Sequence, residues 1–181
     1  MKRGNKKGFT IIEVSLVLAI AGLIFLMIFI ALPALRRTQR DSQRRDDMMG
    51  FLKEIKNYQT NNRGMLPTGT GAYNWPISSS TKASTWAGFF RDYLGEDFVD
   101  PDGTHYNLTA TTCGAEENQD CSTNDANAFL RDLSGSTFKG YRIYVVTKAT
   151  CEGDKAVGTS NPRKVAVLYR LEGAGAYCGN T

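Results

Sequence analysis

At 181 residues and 41% hydrophobic content, the chain has room for one modest domain plus a separate apolar segment, which argues against a second full domain. The formal charge is +4, yet Lys2, Arg3, Lys6 and Lys7 all precede Gly8, and without these four the remaining 18 basic side chains balance 18 acidic ones. The folded part thus lacks the basic excess that phosphate neutralisation requires, so nucleic acid is not indicated as a partner and only local basic patches stay open.

In chain order, the first element is the run from Val14 to Leu35, 22 residues without a charge. At about 1.5 Å per residue it reaches roughly 33 Å, enough for a hydrocarbon core of about 30 Å. A cleaved secretory signal has a shorter apolar region, of roughly 7 to 15 residues, and a small-residue cleavage site. Here Arg36 and Arg37 follow the run directly. Basic residues flank both ends, and the short leader is favoured as the cytoplasmic side, with the rest of the chain outside. Glu13 is the one carboxylate at the head of this run.

The helical pattern continues beyond Pro33. In "RRTQRDSQRRDDMMGFLKEIKNYQTNNRG", Met48, Phe51, Leu52, Ile55 and Tyr58 form the stripe of an amphipathic helix, so a single helix of about 50 residues is predicted. Arg37 with Asp41, and Asp41 with Arg45, fall at i, i+4 and are predicted to be a solvated or subunit-facing surface. The helix is predicted to end near Asn61, Asn62 and Gly64, which tolerate a left-handed C-terminal residue. Gly22 and Pro33 weaken the apolar half, which makes local bending or melting between them cheap.

After Gly64, "LPTGTGAYNWPISSSTKAST" reads as a long surface connection. "STWAGFFRDYLGEDF" places Trp86, Phe89, Phe90, Tyr93 and Leu94 at helical spacing behind a Ser84 or Thr85 cap, which predicts a short helix with its aromatic face in a core. "THYNLTA", "YRIYVVTKA" and "KVAVLYRLE" are rich in β-branched and aromatic residues and predict three antiparallel strands against the polar half of the long helix. Between the first two strands lies a cysteine-bounded excursion with a one- or two-turn helix predicted at Ala126 to Leu133.

Cys113, Cys121, Cys151 and Cys178 all lie in the outer part, where disulfides are permitted. Zinc is the competing use, but there is no C-x2-C pair and His105 is the only imidazole. Of three pairings, Cys113 with Cys121 and Cys151 with Cys178 is expected, since it closes one local loop and staples the C-terminal segment. No metal site and no cofactor are expected. One histidine and the absence of G-x-S-x-G, phosphate-loop and HExxH motifs argue against an enzyme. Asp100 and Asp102 in "DPDGTH" lack the spacing of a calcium loop and read as a turn, and Asn107, Leu108 and Thr109 form a sequon short enough to occur by chance.

The stretch "KKGFTIIEVSLVLAIAGL" resembles the class III signal and N-terminal helix of type IV pilins and related pseudopilins: a basic leader, Gly8, Phe9, Thr10, two aliphatics, Glu13, and a long apolar run. The resemblance covers residues 1 to about 60. Beyond it, "GMLPTG" resembles the segment that often follows the pilin helix, with Leu66 where tyrosine is common. "DPDGTHY" is similar to a loop of major pseudopilins, but departs from it at Asp102, Thr104 and His105.

The resemblance implies an α+β type IV pilin fold, a long N-terminal helix packed on a small antiparallel sheet. It implies a leader peptide over 1–8, a transmembrane and filament-core helix over 9–35, an amphipathic half over 36–63, and a globular head over 64–181. A prepilin peptidase would cut between Gly8 and Phe9, the Phe9 amine would be N-methylated, and Glu13 would neutralise that ammonium on a neighbouring subunit. Assembly from the membrane would use an inner-membrane platform protein and, indirectly, a cytoplasmic ATPase, with the helix partly unfolding around Gly22 to Pro33. Ala19, Ala21, Gly22 and Ala31 would let helices approach closely.

The implied function is a structural, non-enzymatic subunit of a type IV pilus-like filament, in the cytoplasmic membrane before assembly and extracellular afterwards. The alternatives are a minor or competence pilin that binds DNA or an adhesive ligand, and a pseudopilin of a type II secretion system. For the binding alternative the candidate cations are Arg131, Lys139, Arg142, Lys148, Lys155, Arg163 and Lys164, which are spread along the outer part.

Overall fold

The apolar run and the stripe beyond it wind into one helix, α1 (Ile11–Asn61), which passes through Gly22 and Pro33 as helix. The computed structural model describes residues 8–114, 120–121, 142–173 and 175–181. The leader cations and the Ala126 to Leu133 turn therefore lie outside the described residues, as do Arg131 and Lys139. The chain divides into two compact units, Met1–Gln39 and Arg40–Thr181. In the first, the apolar part of α1 is long and apolar enough to cross a membrane, with a mean hydropathy of 3.0 over its best 18-residue window.

In the second unit, Met48, Phe51, Leu52, Ile55 and Tyr58 of α1 are all buried, as their spacing predicts. Full burial of a side chain of this size is worth about 1.5 to 3 kcal/mol, which holds this stretch of helix on its sheet. The helix closes with a six-to-one bond from the Gly64 N–H to the Gln59 carbonyl at 2.6 Å. Arg63, with φ of +56°, takes the left-handed position that the sequence assigned to asparagine or glycine, and Gly64 follows at +79°.

The predicted connection after the helix contains one short strand, β1 (Gly71–Tyr73). The aromatic segment forms α2 (Trp86–Phe89), capped by Thr85, whose hydroxyl oxygen accepts from the Gly88 N–H, and it runs on as a π-helical turn over Phe90–Leu94. Phe89 stacks edge-on against Phe51, Tyr58 and Trp86, so this face is core, as predicted.

The main sheet is built from β1, β2 (Asn107–Thr112), β3 (Arg142–Thr147), β6 (Val165–Arg170) and β7 (Ala176–Asn180), in the order β1-β2-β3-β6-β7. It is antiparallel except that β2 and β3 pair in parallel, with Leu108 opposite Ile143 and Ala110 opposite Val145. This corrects the expectation of three antiparallel strands. Parallel neighbours need a connection of about a dozen residues or more, and residues 113–141 supply it. A second, two-stranded sheet is made of β4 (Ala149–Glu152) and β5 (Lys155–Gly158). The two disulfides are Cys113 to Cys121 and Cys151 to Cys178, the latter tying β4 to β7.

Candidate functional site

At the start of α1, Thr10 and Glu13 cap the helix reciprocally. The Thr10 N–H and hydroxyl both donate to Glu13 Oε2 at 2.9 Å, and the Glu13 N–H donates back to Thr10 Oγ1 at 3.3 Å. This is a capping box, which gives the lone carboxylate a local reason to sit three residues after a threonine. Glu13 Oε1 has no partner among the described residues. Gly8 is exposed, and a Cβ built there meets nothing within 4 Å; the same holds for Gly22. Neither glycine is demanded by contacts among the described residues.

The helix that follows presents its apolar side chains outward. Phe9 is 89% exposed, and Val14, Leu18, Phe25, Phe29 and Leu35 are each about half exposed or more. An apolar surface on this scale is not stable in water, and calls for lipid or for other protein.

A second constellation, in the Arg40–Thr181 unit, is absent from the sequence reading. The Arg44 guanidinium, 3% exposed, grips Asp100 bidentately: Nε donates to Oδ2 at 2.7 Å and Nη2 to Oδ1 at 2.8 Å. Arg44 also donates to Glu172 Oε1 at 2.8 Å and to Asp41 Oδ1 at 3.1 Å. The Tyr169 hydroxyl and the Asp102 N–H complete Asp100, at 2.8 and 3.1 Å. Asp41 accepts from the N–H groups of Glu172 and Gly173, both at 2.8 Å. The predicted pairs of Asp41 with Arg37 and Arg45 are thus replaced by buried contacts that clip the 100–104 turn and the 171–173 turn to the helix. Burial alone would pull the Arg44 guanidinium down, but its bonds to Asp100 and Glu172 hold it well above the ordinary arginine value.

Asp100 and Asp102 do form the predicted turn, closed by the Asp100 N–H to the Thr104 carbonyl at 2.8 Å and the Gly103 N–H to the Asp100 carbonyl at 2.7 Å. The Asn107 side chain of the sequon accepts from the Trp75 N–H at 3.1 Å and faces the fold. His105 stacks on Trp75 with centroids 5.2 Å apart. No cluster of three or more metal-ligating side chains occurs among the described residues.

The Glu172 carboxyl is held below its ordinary 4.5, first by the hydrogen bond from Arg40 and then, against some burial, by the bond from Arg44. A folded carboxyl below its unfolded value adds stability that is complete above the unfolded pKa and is lost as pH falls through the folded one. Glu172→Gln is therefore expected to lower thermal stability at neutral pH, with the gap to wild type closing as pH falls below 4.5. A gap that stays constant across that range contradicts the role of Glu172 in the network.

Of the candidate cations that are described, Arg142 donates to Thr109 and Asn74, and Lys155 lies 4.0 Å from Asp120. Arg163 and Lys164 instead meet Lys56 and Arg63 of the helix end around one cavity. Sequence reading missed Lys56 and Arg63 because they belong to the end of α1 and the turn after it, about 100 residues upstream of Arg163 and Lys164.

Residues 3–29 match the family model described as the prokaryotic N-terminal methylation motif. Neither a curated protein nor a solved structure matches the chain.

Proposed function

We propose that this chain, whose N-terminal signal is that of the type IV pilin and prepilin family, is a structural subunit of a type IV pilus-like surface filament. The observation that carries this reading is the conjunction of the methylation motif with an exposed apolar helix face from Phe9 to Leu35. The apolar helix anchors the chain in a membrane before assembly. A prepilin peptidase cuts between Gly8 and Phe9, and the freed Phe9 amine is N-methylated.

Polymerisation then exchanges lipid for neighbouring helices, driven by packing and by removal of the Phe9 to Leu35 surface from lipid. Extraction runs through an inner-membrane platform protein powered by a cytoplasmic ATPase. Gly22, with open space at its Cβ position, admits a neighbouring helix backbone, and Gly22 and Pro33 let the helix bend or open locally in the filament.

Both halves of the capping box lie after the cut, so the Thr10 to Glu13 contact survives maturation. With Oε2 taken by Thr10, Oε1 is left to receive the Phe9 ammonium of the next subunit. In a water-poor filament core an unpaired ammonium is costly, so this pair fixes the register of neighbours. Glu13→Ala is expected to be cut normally yet to enter sheared filaments at a level at least about tenfold lower. Wild-type incorporation of that variant contradicts the pairing.

A further inference from the structure

Two surfaces of the Arg40–Thr181 unit carry opposite charge, and the assembly chemistry of the N-terminus uses neither. The first is a cavity of about 550 Å³ between the end of α1 and the turn before β6, lined by Lys56, Arg63, Arg163 and Lys164 and also by Thr181, whose backbone oxygen accepts from Lys164. That volume is in the range of sites that hold small ligands or peptide segments. None of the four cations makes an ion pair with Asp or Glu among the described residues.

The wall is firmly built. Gln59 Nε2 donates to the Arg163 carbonyl at 2.8 Å, the Arg163 N–H donates to Asn161 Oδ1 at 2.9 Å, and Lys164 Nζ donates to the Thr181 carbonyl. The Arg163 guanidinium lies over Gly64, where a Cβ would come within 3.3 Å of its Cζ. The Thr181 oxygen answers Lys164 in part, and Lys56, Arg63 and Arg163 around the same concavity raise a local positive potential that a further anionic group relieves.

The second surface is the β4–β5 turn, where the exposed Glu152 and Asp154 line a smaller concavity with Asp120 and with Lys155, which lies 4.0 Å from Asp120. It is held as rigidly as the cavity. Cys151 bonds Cys178, the Cys121 N–H donates to the Ala156 carbonyl at 3.0 Å, and Cys121 is itself bonded to Cys113. Lys148, next to the first residue of β4, donates its N–H to the Lys164 carbonyl, and Glu152 lies at the far end of β4, about 10 Å along the strand from Ala149.

We propose that the basic cavity receives the acidic β4–β5 turn of a second copy of this chain, as a heterologous contact between neighbouring subunits. A heterologous contact repeated from copy to copy builds an open helical array when its rotation does not close a ring, and two surfaces braced by hydrogen bonds and disulfides lose little conformational entropy on docking. This inference rests on the filament reading. A free polyanion would also satisfy the cavity, but it has no use for Glu152 and Asp154.

The test is made on the full chain in the producing cells. Glu152→Lys with Asp154→Lys, and separately Lys56→Glu with Arg163→Glu, are each expected to reduce the sheared filament yield about tenfold, and the four changes combined to restore most of it. Closure of both disulfides in the membrane-held protein, read on a non-reducing gel, shows that the variants fold. In wild-type filaments a carbodiimide is expected to link Lys56 or Lys164 to Glu152 or Asp154, and to form no such link in detergent-dispersed subunits. Wild-type yield from the acidic-turn variant, or no recovery in the combined variant, overturns the inference while leaving the filament reading intact. Absence of filaments from wild-type cells overturns both.

Discussion

A Gly8→Leu chain is expected to stay at precursor length, cut about 10²-fold more slowly or worse, and to be missing from sheared filaments. On the proposed route the residue before the scissile bond enters a peptidase cleft, where a displacement on the order of 1 Å can cost about 10²-fold in rate. Among the described residues, no contact requires a glycine there. Gly8 is exposed, a Cβ at that position meets nothing within 4 Å, and it lies outside α1. A leucine there leaves the capping box of Thr10 and Glu13 intact, so loss of processing would report the peptidase rather than misfolding. The measurement is the intact mass of the membrane-held protein, and normal cutting of Gly8→Leu removes the peptidase from the account.

The second large effect is on stability. Arg44→Ala is expected to destabilise the Arg40–Thr181 unit by about 3 to 5 kcal/mol, because Asp100, with a fully buried side chain, would lose its bidentate partner. For a unit of this size that is on the order of 10 °C in Tm. The burial of the pair matters more than its attraction, so Arg44→Met combined with Asp100→Asn is expected to cost less than Arg44→Ala alone. Thermal unfolding of the detergent-dispersed protein followed by circular dichroism checks both. An Arg44→Ala protein with wild-type Tm would show that the network contributes specificity of contact without stability.

The spacing of Met48, Phe51, Leu52, Ile55 and Tyr58 made the buried helix face legible, and the same 3- and 4-residue steps extend backwards to Arg44 and Asp41. Following the stripe those two steps further places charged residues on a core face, the one available sign of the buried network. What the sequence hides is the identity of the partners. Asp100 lies 56 residues and Glu172 128 residues from Arg44, and a helix wheel shows only neighbours at i, i+4.

Strand alternation likewise revealed β2, β3 and β6 but not their directions. Alternation fixes which side chains are buried and is indifferent to whether the neighbouring strand runs the same way, so the parallel β2 and β3 pair was not legible. The aromatic face of α2 was legible because its spacing and its Thr85 cap are both local. The basic cavity was not, because the turn at Arg163 and the helix end at Lys56 meet only through the fold.

On the proposed route the chain polymerises through its matured N-terminal helix. Filaments sheared from the producing cells and measured by intact mass spectrometry test it most directly. An abundant chain is expected that begins at N-methyl Phe9 and is four hydrogens lighter than its reduced form, with both disulfides closed. A chain that begins at Met1, or one that stays wholly in the cell fraction, contradicts a surface filament and favours a pseudopilin rod or a simply anchored domain.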